Sequence, residues 1–171
     1  STETIRWDAL TTSNSFTIDY TDDNGATWNN IGTASANQRY VNWNPSSTIG
    51  SDQVKIRVSR GGASDESDST NSVFNVPTGF QVSSICPDSI YFTWDAVVGA
   101  AAYEILRLGT THMESMGIFS TNSGAVLSHD PSKDYYYTIR TVGPNGGKGE
   151  RRNAFFVPAG YINCDIDRDL S

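Results

Sequence analysis

Residues able to do acid–base or nucleophilic chemistry are few in this chain, and their spacing is uninformative. His112 and His129 are the only histidines. No serine occupies the G-x-S-x-G turn that exposes a nucleophile, and neither Cys86 nor Cys164 sits in a catalytic sequence context. Serines are so numerous that a Ser/His/Asp set can be drawn almost anywhere, so such a set carries no signal. His129 is expected in a loop before Pro131, and His112 in the loop that follows the strand around Tyr103 and Ile105. Two acidic groups invite a test for calcium: Asp65, Glu66 and Asp68, and then Asp165, Asp167 and Asp169 with D-x-D-x-D spacing. Alternating oxygen ligands suit Ca²⁺, but a complete loop also needs a glycine turn and a distal bidentate glutamate, and both segments lack them. The first group reads as a solvated loop and the second as part of a linker. Calcium at a module junction stays open, and no other cofactor is indicated.

Aromatic side chains are the other candidates for ligand contact. Trp28, Trp43 and Tyr20 fall largely in phase with core positions. Tyr91 and Tyr136 fall on the opposite phase from Phe92 and Tyr137 and are expected at the surface. If the strand order sets them side by side, they could form a platform for a glycan.

These residues must be positioned by strands. Ser, Thr, Asn and Gly are abundant, while runs of Ala, Leu, Glu and Lys are missing. Period-two alternation recurs: Ile5 and Trp7; Phe16, Ile18 and Tyr20; Val41 and Trp43; Val54, Ile56 and Val58; Phe74 and Val76. Turn signals separate the runs at Asp23-Asn24-Gly25, Asn44-Pro45 and Gly61-Gly62. The pattern is interrupted at Pro77-Thr78-Gly79 and restarts with Phe80 and Val82, then Ile90, Phe92 and Trp94, and continues to Phe155 and Val157. Gly99 to Ala102 reads as a tight loop. Short strands at this spacing predict an all-β chain of two antiparallel β-sandwiches in tandem. The expected boundaries are 1–76 for the first, 77–159 for the second and 160–171 for a linker to a following domain.

The net charge of −7 makes nucleic acid and anionic membrane surfaces poor partners. No apolar run reaches the roughly 20 residues that span a bilayer as a helix. The start at Ser1 shows no basic or apolar leader, which is expected of a chain whose signal peptide has been removed. Two cysteines fit one disulfide or two buried thiols.

Residues 77–159 resemble a fibronectin type III domain. Trp94 stands in the second strand, Tyr103 in the third, and Tyr135 opens the sixth, four residues after Pro131. The resemblance implies that Trp94 and Tyr135 are buried and that Tyr135 is a tyrosine-corner residue whose hydroxyl bonds nearby backbone. His129 departs from the family, which usually has a leucine there. The corner is then looser, or Leu127 substitutes from a shifted register. The runs Trp94-Asp95-Ala96-Val97-Val98-Gly99-Ala100 and Arg140-Thr141-Val142-Gly143-Pro144-Asn145-Gly146 resemble a subgroup from large extracellular proteins of Bacteroidetes, proteases or adhesins exported by the type IX secretion system. In this topology Cys86 lies in the first interstrand loop at the pole where the last strand also ends, which implies a Cys86–Cys164 disulfide.

Residues 1–76 resemble an Ig-like module of similar secreted proteins, whose usual first strand would lie before Ser1. Thr21 to Trp28 match the Asp-box pattern of sialidases, with Asp23, Gly25 and Trp28 at its key positions. Sialidases repeat the box around a propeller and gather arginines for a substrate carboxylate. Here the box occurs once and the arginines are scattered, so a structural hairpin is expected. The functional expectation is a non-catalytic spacer or docking unit of a larger secreted or cell-surface protein. Its partners are expected to be neighbouring domains of the same polypeptide, and an extracellular protein or glycan. The alternative is an accessory carbohydrate-binding or adhesion module of a secreted enzyme such as a protease.

Overall fold

The computed structural model describes residues 2–10, 13–66 and 71–164. Every regular element among them is a β-strand. The first half contains β1 (Glu3–Arg6), β2 (Phe16–Thr21), β3 (Asn29–Ala34), β4 (Tyr40–Trp43), β5 (Ser51–Arg60), β6 (Ala63–Glu66) and β7 (Asn71–Val73). The second contains β8 (Gln81–Ile85), β9 (Ile90–Thr93), β10 (Ala102–Leu108), β11 (Met113–Phe119), β12 (Ser123–Val126), β13 (Tyr135–Val142) and β14 (Phe155–Val157). All pairings are antiparallel, and no strand of one half pairs with a strand of the other.

In the second half a three-stranded sheet, β12-β9-β8, faces a four-stranded sheet, β11-β10-β13-β14. Alternation places Ile90 and Phe92 of one sheet against Tyr103, Ile105, Tyr137 and Ile139 of the other, and Trp94 closes this core just past the end of β9. Strand β13 departs from simple alternation: Thr138, on its outer face, is also buried. The segment leading into β14 lies over it, and the Thr138 hydroxyl donates to the Arg152 carbonyl.

The first half repeats this plan with one strand fewer in its smaller sheet. Strands β1 and β4 form a two-stranded sheet, opposite β3-β2-β5, with β6 and β7 both added along the far edge of β5. Two matched registers fix the correspondence. Asp19 and Arg57 are cross-strand neighbours on β2 and β5 and form an ion pair at 3.1 Å. Glu104 and Arg140 are cross-strand neighbours on β10 and β13 and form one at 2.6 Å. Likewise Trp7 N–H donates to the Arg39 carbonyl at 3.2 Å, as Trp94 N–H does to the Asn122 carbonyl at 3.1 Å. Strand β1 therefore corresponds to β9, and the tripeptide Trp-Asp-Ala follows both, at Trp7 and at Trp94. Strand β8 has no counterpart among the described residues of the first half.

Asp65 and Glu66, expected in a loop, instead lie on the exposed strand β6. Strand β6 pairs with β5 through Arg57↔Glu66 and Val58↔Asp65, because the Gly61-Gly62 turn folds the chain straight back. The other members proposed for calcium, Asp68, Asp165, Asp167 and Asp169, lie outside the described residues. Among the described residues no cluster of three or more His, Cys, Asp or Glu side chains could hold a metal ion.

Candidate functional site

The two halves meet at a contact built around Asp52. This residue lies near the start of β5 and is buried, although it is charged. The chain between β13 and β14 turns at 143–147, where Gly143 N–H donates to the Gly147 carbonyl at 2.8 Å and Gly146 N–H to the Gly143 carbonyl at 3.0 Å. The turn presents outward-facing N–H groups, which together make an anion-binding nest. Asp52 fills it. Its carboxylate accepts from Asn145 N–H at 2.8 Å, Asn145 Nδ2 at 3.0 Å and Gly147 N–H at 3.1 Å. Burial alone would raise the Asp52 pKa. The Asn145 side chain and the two N–H groups outweigh it and hold the carboxyl below its ordinary value.

Backbone packs on backbone beside this bond. A Cβ at Gly50 would run into the Val98 carbonyl, and one at Gly99 into the Gly50 carbonyl; Gly99 also has φ +74°. The connecting segment is held from both sides. Asn75 Nδ2 donates to the Ser47 carbonyl at 2.7 Å, Thr141 Oγ1 to the Asn75 carbonyl at 3.3 Å, and Arg152 Nη1 to the Pro77 carbonyl at 3.2 Å. Sequence reasoning did not single out Asp52, Gly50 or Asn145. The 140–146 run stands out only for its resemblance, and nothing local to Asp52 signals partners 93 and 95 residues away.

The Asp-box segment is the loop between β2 and β3. Thr21, fully buried, donates through its hydroxyl to Asp23 Oδ1 at 2.6 Å and accepts from Gly25 N–H at 3.0 Å. Thr27 donates its N–H to Asp23 Oδ1 at 2.8 Å and its hydroxyl to Oδ2 at 2.6 Å. The Thr21 and Thr27 hydroxyls and the Thr27 N–H together hold the Asp23 carboxyl well below the usual range. Asn24 (φ 59°) and Gly25 (φ 102°) take the left-handed conformations that the turn requires. Trp28 is half-buried beneath the Arg57 guanidinium, 4.1 Å from its ring centre, and Arg57 is in turn held by Asp19. Every polar group of Asp23 is thus turned inward on its own loop.

Trp94 and Tyr103 pack edge to face at 5.4 Å, both buried, and the Tyr103 hydroxyl accepts from Val97 N–H at 2.8 Å. The corner around Tyr135 differs from expectation. Tyr135 is only half-buried, and its hydroxyl makes no hydrogen bond among the described residues. Its ring instead packs against His129 at 5.2 Å and lies under the Arg107 guanidinium at 4.8 Å. Leu127 does not substitute in the core, being 76% exposed. His129 itself fills the position, buried, with Nδ1 3.1 Å from the Tyr137 hydroxyl. Burial and the nearby Arg107 charge push the His129 pKa down, against a weaker opposing effect of Asp130. Burial pushes the Tyr137 hydroxyl up. His112 is exposed beside the Thr111 hydroxyl.

Tyr91 and Tyr136 are both exposed but do not form one platform. Tyr91 lies on β9 and Tyr136 on β13, which belong to the two opposite sheets. Tyr136 instead stacks on exposed Phe156, ring centres 5.1 Å apart, because the two are cross-strand neighbours on β13 and β14.

Cys86 and Cys164 form a disulfide, with Cα atoms 4.8 Å apart and a sequence separation of 78. Asn163 flanks it and adds to the edge of β8. Its N–H donates to the Ile85 carbonyl at 3.1 Å, and its side-chain oxygen accepts from Ile85 N–H at 2.6 Å. Residues 160–164, expected as linker, are thus pinned to the second half by Gly160, Asn163 and Cys164.

No protein-family model matches the chain, and no curated protein matches it. Several solved structures are similar. A segment of two fibronectin type III domains from chicken tenascin is 16% identical, with a TM-score of 0.49 over 92% of each chain. The structure titled FN3tt is 22% identical, with a TM-score of 0.44 over 52% of this chain and 99% of that one. The fibronectin type III domain of human collagen alpha-1(XX) is 15% identical, with a TM-score of 0.42 over 57% of this chain and 96% of that one. By its own strand order, the chain is an all-β protein of two antiparallel sandwiches in tandem.

Proposed function

We propose that this chain is a pair of non-catalytic modules, divided near Val76–Pro77, that acts as a rigid spacer or docking unit within a larger secreted or cell-surface protein. The observation that carries the reading is the buried Asp52 carboxylate held by Asn145 and Gly147 across the contact between the halves. A charge removed from water costs several kcal/mol unless its partners are fixed, so the two halves keep the one orientation that satisfies it. Tandem modules joined only by a flexible linker have no use for such a bond. The disulfide supports an oxidising compartment, hence export. The resemblance of the 94–100 and 140–146 runs extends the proposal to large extracellular proteins of Bacteroidetes exported by the type IX system.

Small-angle scattering on the wild type and on Asp52→Ala tests the reading. A single rigid arrangement is expected for the wild type, and a broader distribution of interhalf angles for the variant. A wild type that itself requires many angles rejects the spacer role. The exposed Tyr136–Phe156 pair favours a second reading, a glycan or adhesion contact on the outer face of the β11-β10-β13-β14 sheet. Glycan-array binding abolished by Tyr136→Ala with Phe156→Ala would support it.

A further inference from the structure

The asparagine that clamps Asp52 is followed by a glycine. Asn-Gly occurs twice in the chain, at Asn24 and at Asn145. In such a pair the main-chain nitrogen of the glycine can attack the asparagine side-chain carbonyl carbon, because glycine carries no Cβ to obstruct the approach. Asn145 and Gly146 are both exposed, and a Cβ at Gly146 would meet nothing within 4 Å, so both ring closure and attacking water have room.

The closed contact restrains both reacting groups. Asn145 Nδ2, the nitrogen that would leave, donates to Asp52 Oδ1 at 3.0 Å, and Asn145 N–H donates to Oδ2 at 2.8 Å. Gly146 N–H, the nitrogen that would attack, donates to the Gly143 carbonyl at 3.0 Å. Gly147 N–H also bonds Asp52, so the carboxylate holds the peptide units on both sides of Gly146. Attack requires the Gly146 nitrogen to lose its proton and close on the side chain, and these bonds oppose both movements. When the halves part, the three bonds to Asp52 are lost together.

We propose that Asn145-Gly146 is a self-modification site guarded by the interhalf contact: when the halves part, Asn145 deamidates and the contact cannot re-form. The Gly146 nitrogen bonds to Asn145 Cγ, the Cγ–Nδ2 bond breaks, and the proton from Gly146 N–H leaves with Nδ2 as ammonia. Water then opens the succinimide ring, leaving aspartate or isoaspartate in place of Asn145. Aspartate sets a carboxylate against Asp52 Oδ1 where a donor stood, and two carboxylates in one buried contact disfavour each other's ionised form. Isoaspartate adds a methylene to the main chain inside the turn that aims its N–H groups at Asp52. A reversible opening thereby becomes permanent. The inference rests on the Asp52 contact of the proposed function, but deamidation is read by mass and the spacer role by scattering, so the two can fail separately.

The test follows deamidation of the full chain at mildly alkaline pH by peptide mapping and mass spectrometry. Loss of the Asn145 amide should run at least about tenfold faster in Asp52→Ala than in the wild type, which reacts only from its opened fraction. Asn24 is the internal control: its Gly25 N–H bonds Thr21 Oγ1 at 3.0 Å within its own loop, so its rate should be the same in both proteins. Asn145→Asp, which makes one product directly, should widen the spread of interhalf angles in scattering at neutral pH while each half keeps its own melting transition. Equal rates at Asn145 in the two proteins overturn the proposal; if the wild type also scatters as one rigid arrangement, the failure is of the modification and not of the spacer reading. A rise at Asn24 as large as that at Asn145 overturns it as well, because the loosening is then general. So does an Asn145→Asp chain with the wild-type scattering profile, since deamidation would then leave the contact intact.

Discussion

The His129 ring and the Tyr137 hydroxyl face each other at 3.1 Å inside the second sandwich, two buried polar groups where the resemblance implied a looser corner or a substituting Leu127. Each compensates the other. Polar groups buried without a partner cost about 1–3 kcal/mol, so His129→Leu should destabilise by up to that much by leaving the Tyr137 hydroxyl with only the Arg107 side chain beside it. The double variant His129→Leu, Tyr137→Phe removes both groups and should recover most of the loss. Denaturant melts of the four proteins in the cycle give the coupling, and strictly additive costs would show that the pair does not interact.

The same histidine makes stability depend on pH. Its folded pKa lies below 6.5 because burial and Arg107 disfavour the cation, so the unfolded chain binds more protons at mildly acidic pH. That contribution is fully present above 6.5 and is lost as pH falls through the folded pKa. Groups facing His129 are Arg107, Asp130, Tyr135 and Tyr137. Asp52 acts lower: its folded pKa is depressed, so its contribution is present above its ordinary value of 3.8 and lost in stronger acid. Melting temperature should therefore drop in two stages on acidification, the first absent in the His129→Leu, Tyr137→Phe variant and the second reduced in Asp52→Asn, since the Asp23 and Glu104 carboxyls are held low as well.

Gly50→Ala should separate the halves without unfolding either. The added methyl would meet the Val98 carbonyl, a backbone atom that cannot rotate away. Gly50 lies ahead of β5 and outside both cores, so each half should keep its own melting transition. Scattering should report a wider spread of interhalf angles, and the Asn145 and Gly147 amides should exchange faster. Unchanged exchange at both would show that the contact tolerates a side chain there.

Reduction of the Cys86–Cys164 bridge, or Cys86→Ser with Cys164→Ser, should lower the stability of the second half alone. The closed loop of 78 residues contributes up to about 4 kcal/mol in the chain-entropy model. Release of the bridge should also speed amide exchange at Asn163, whose bonds to Ile85 hold the exit segment on β8. A second-half melt insensitive to reductant would contradict this.

Truncating Trp94 to alanine should cost roughly 3–5 kcal/mol. It touches Phe80, Tyr103 and Phe119, which come from both sheets, so no single neighbour can fill the void. Chemical denaturation would measure it, and a cost below about 1 kcal/mol would mean the core re-forms without the indole.

Most strands, though not β3, β6 or β12, and the hairpin at Asp23 and Gly25 are legible in the sequence, because each depends on residues a few positions apart. Alternation along a strand decides which side chains turn inward, and a turn is set by residues that bond within it, as Thr21, Asp23 and Thr27 do. The family resemblance placed Cys86 near Cys164 because it supplied a topology that local patterns lack. What remained hidden needed three-dimensional order. Tyr91 and Tyr136 share a phase, but phase does not say which sheet a strand joins. His129 looked like a defect in a corner because its partner's phenol is visible only once β13 is folded against the 127–131 turn. Asp52 was one acidic residue among many, and only the packing of one half on the other brings it to the amides of Asn145 and Gly147. Contacts that close across a chain depend on strand order and on the angle between modules, and both arise from the summed packing of many residues rather than from any local pattern.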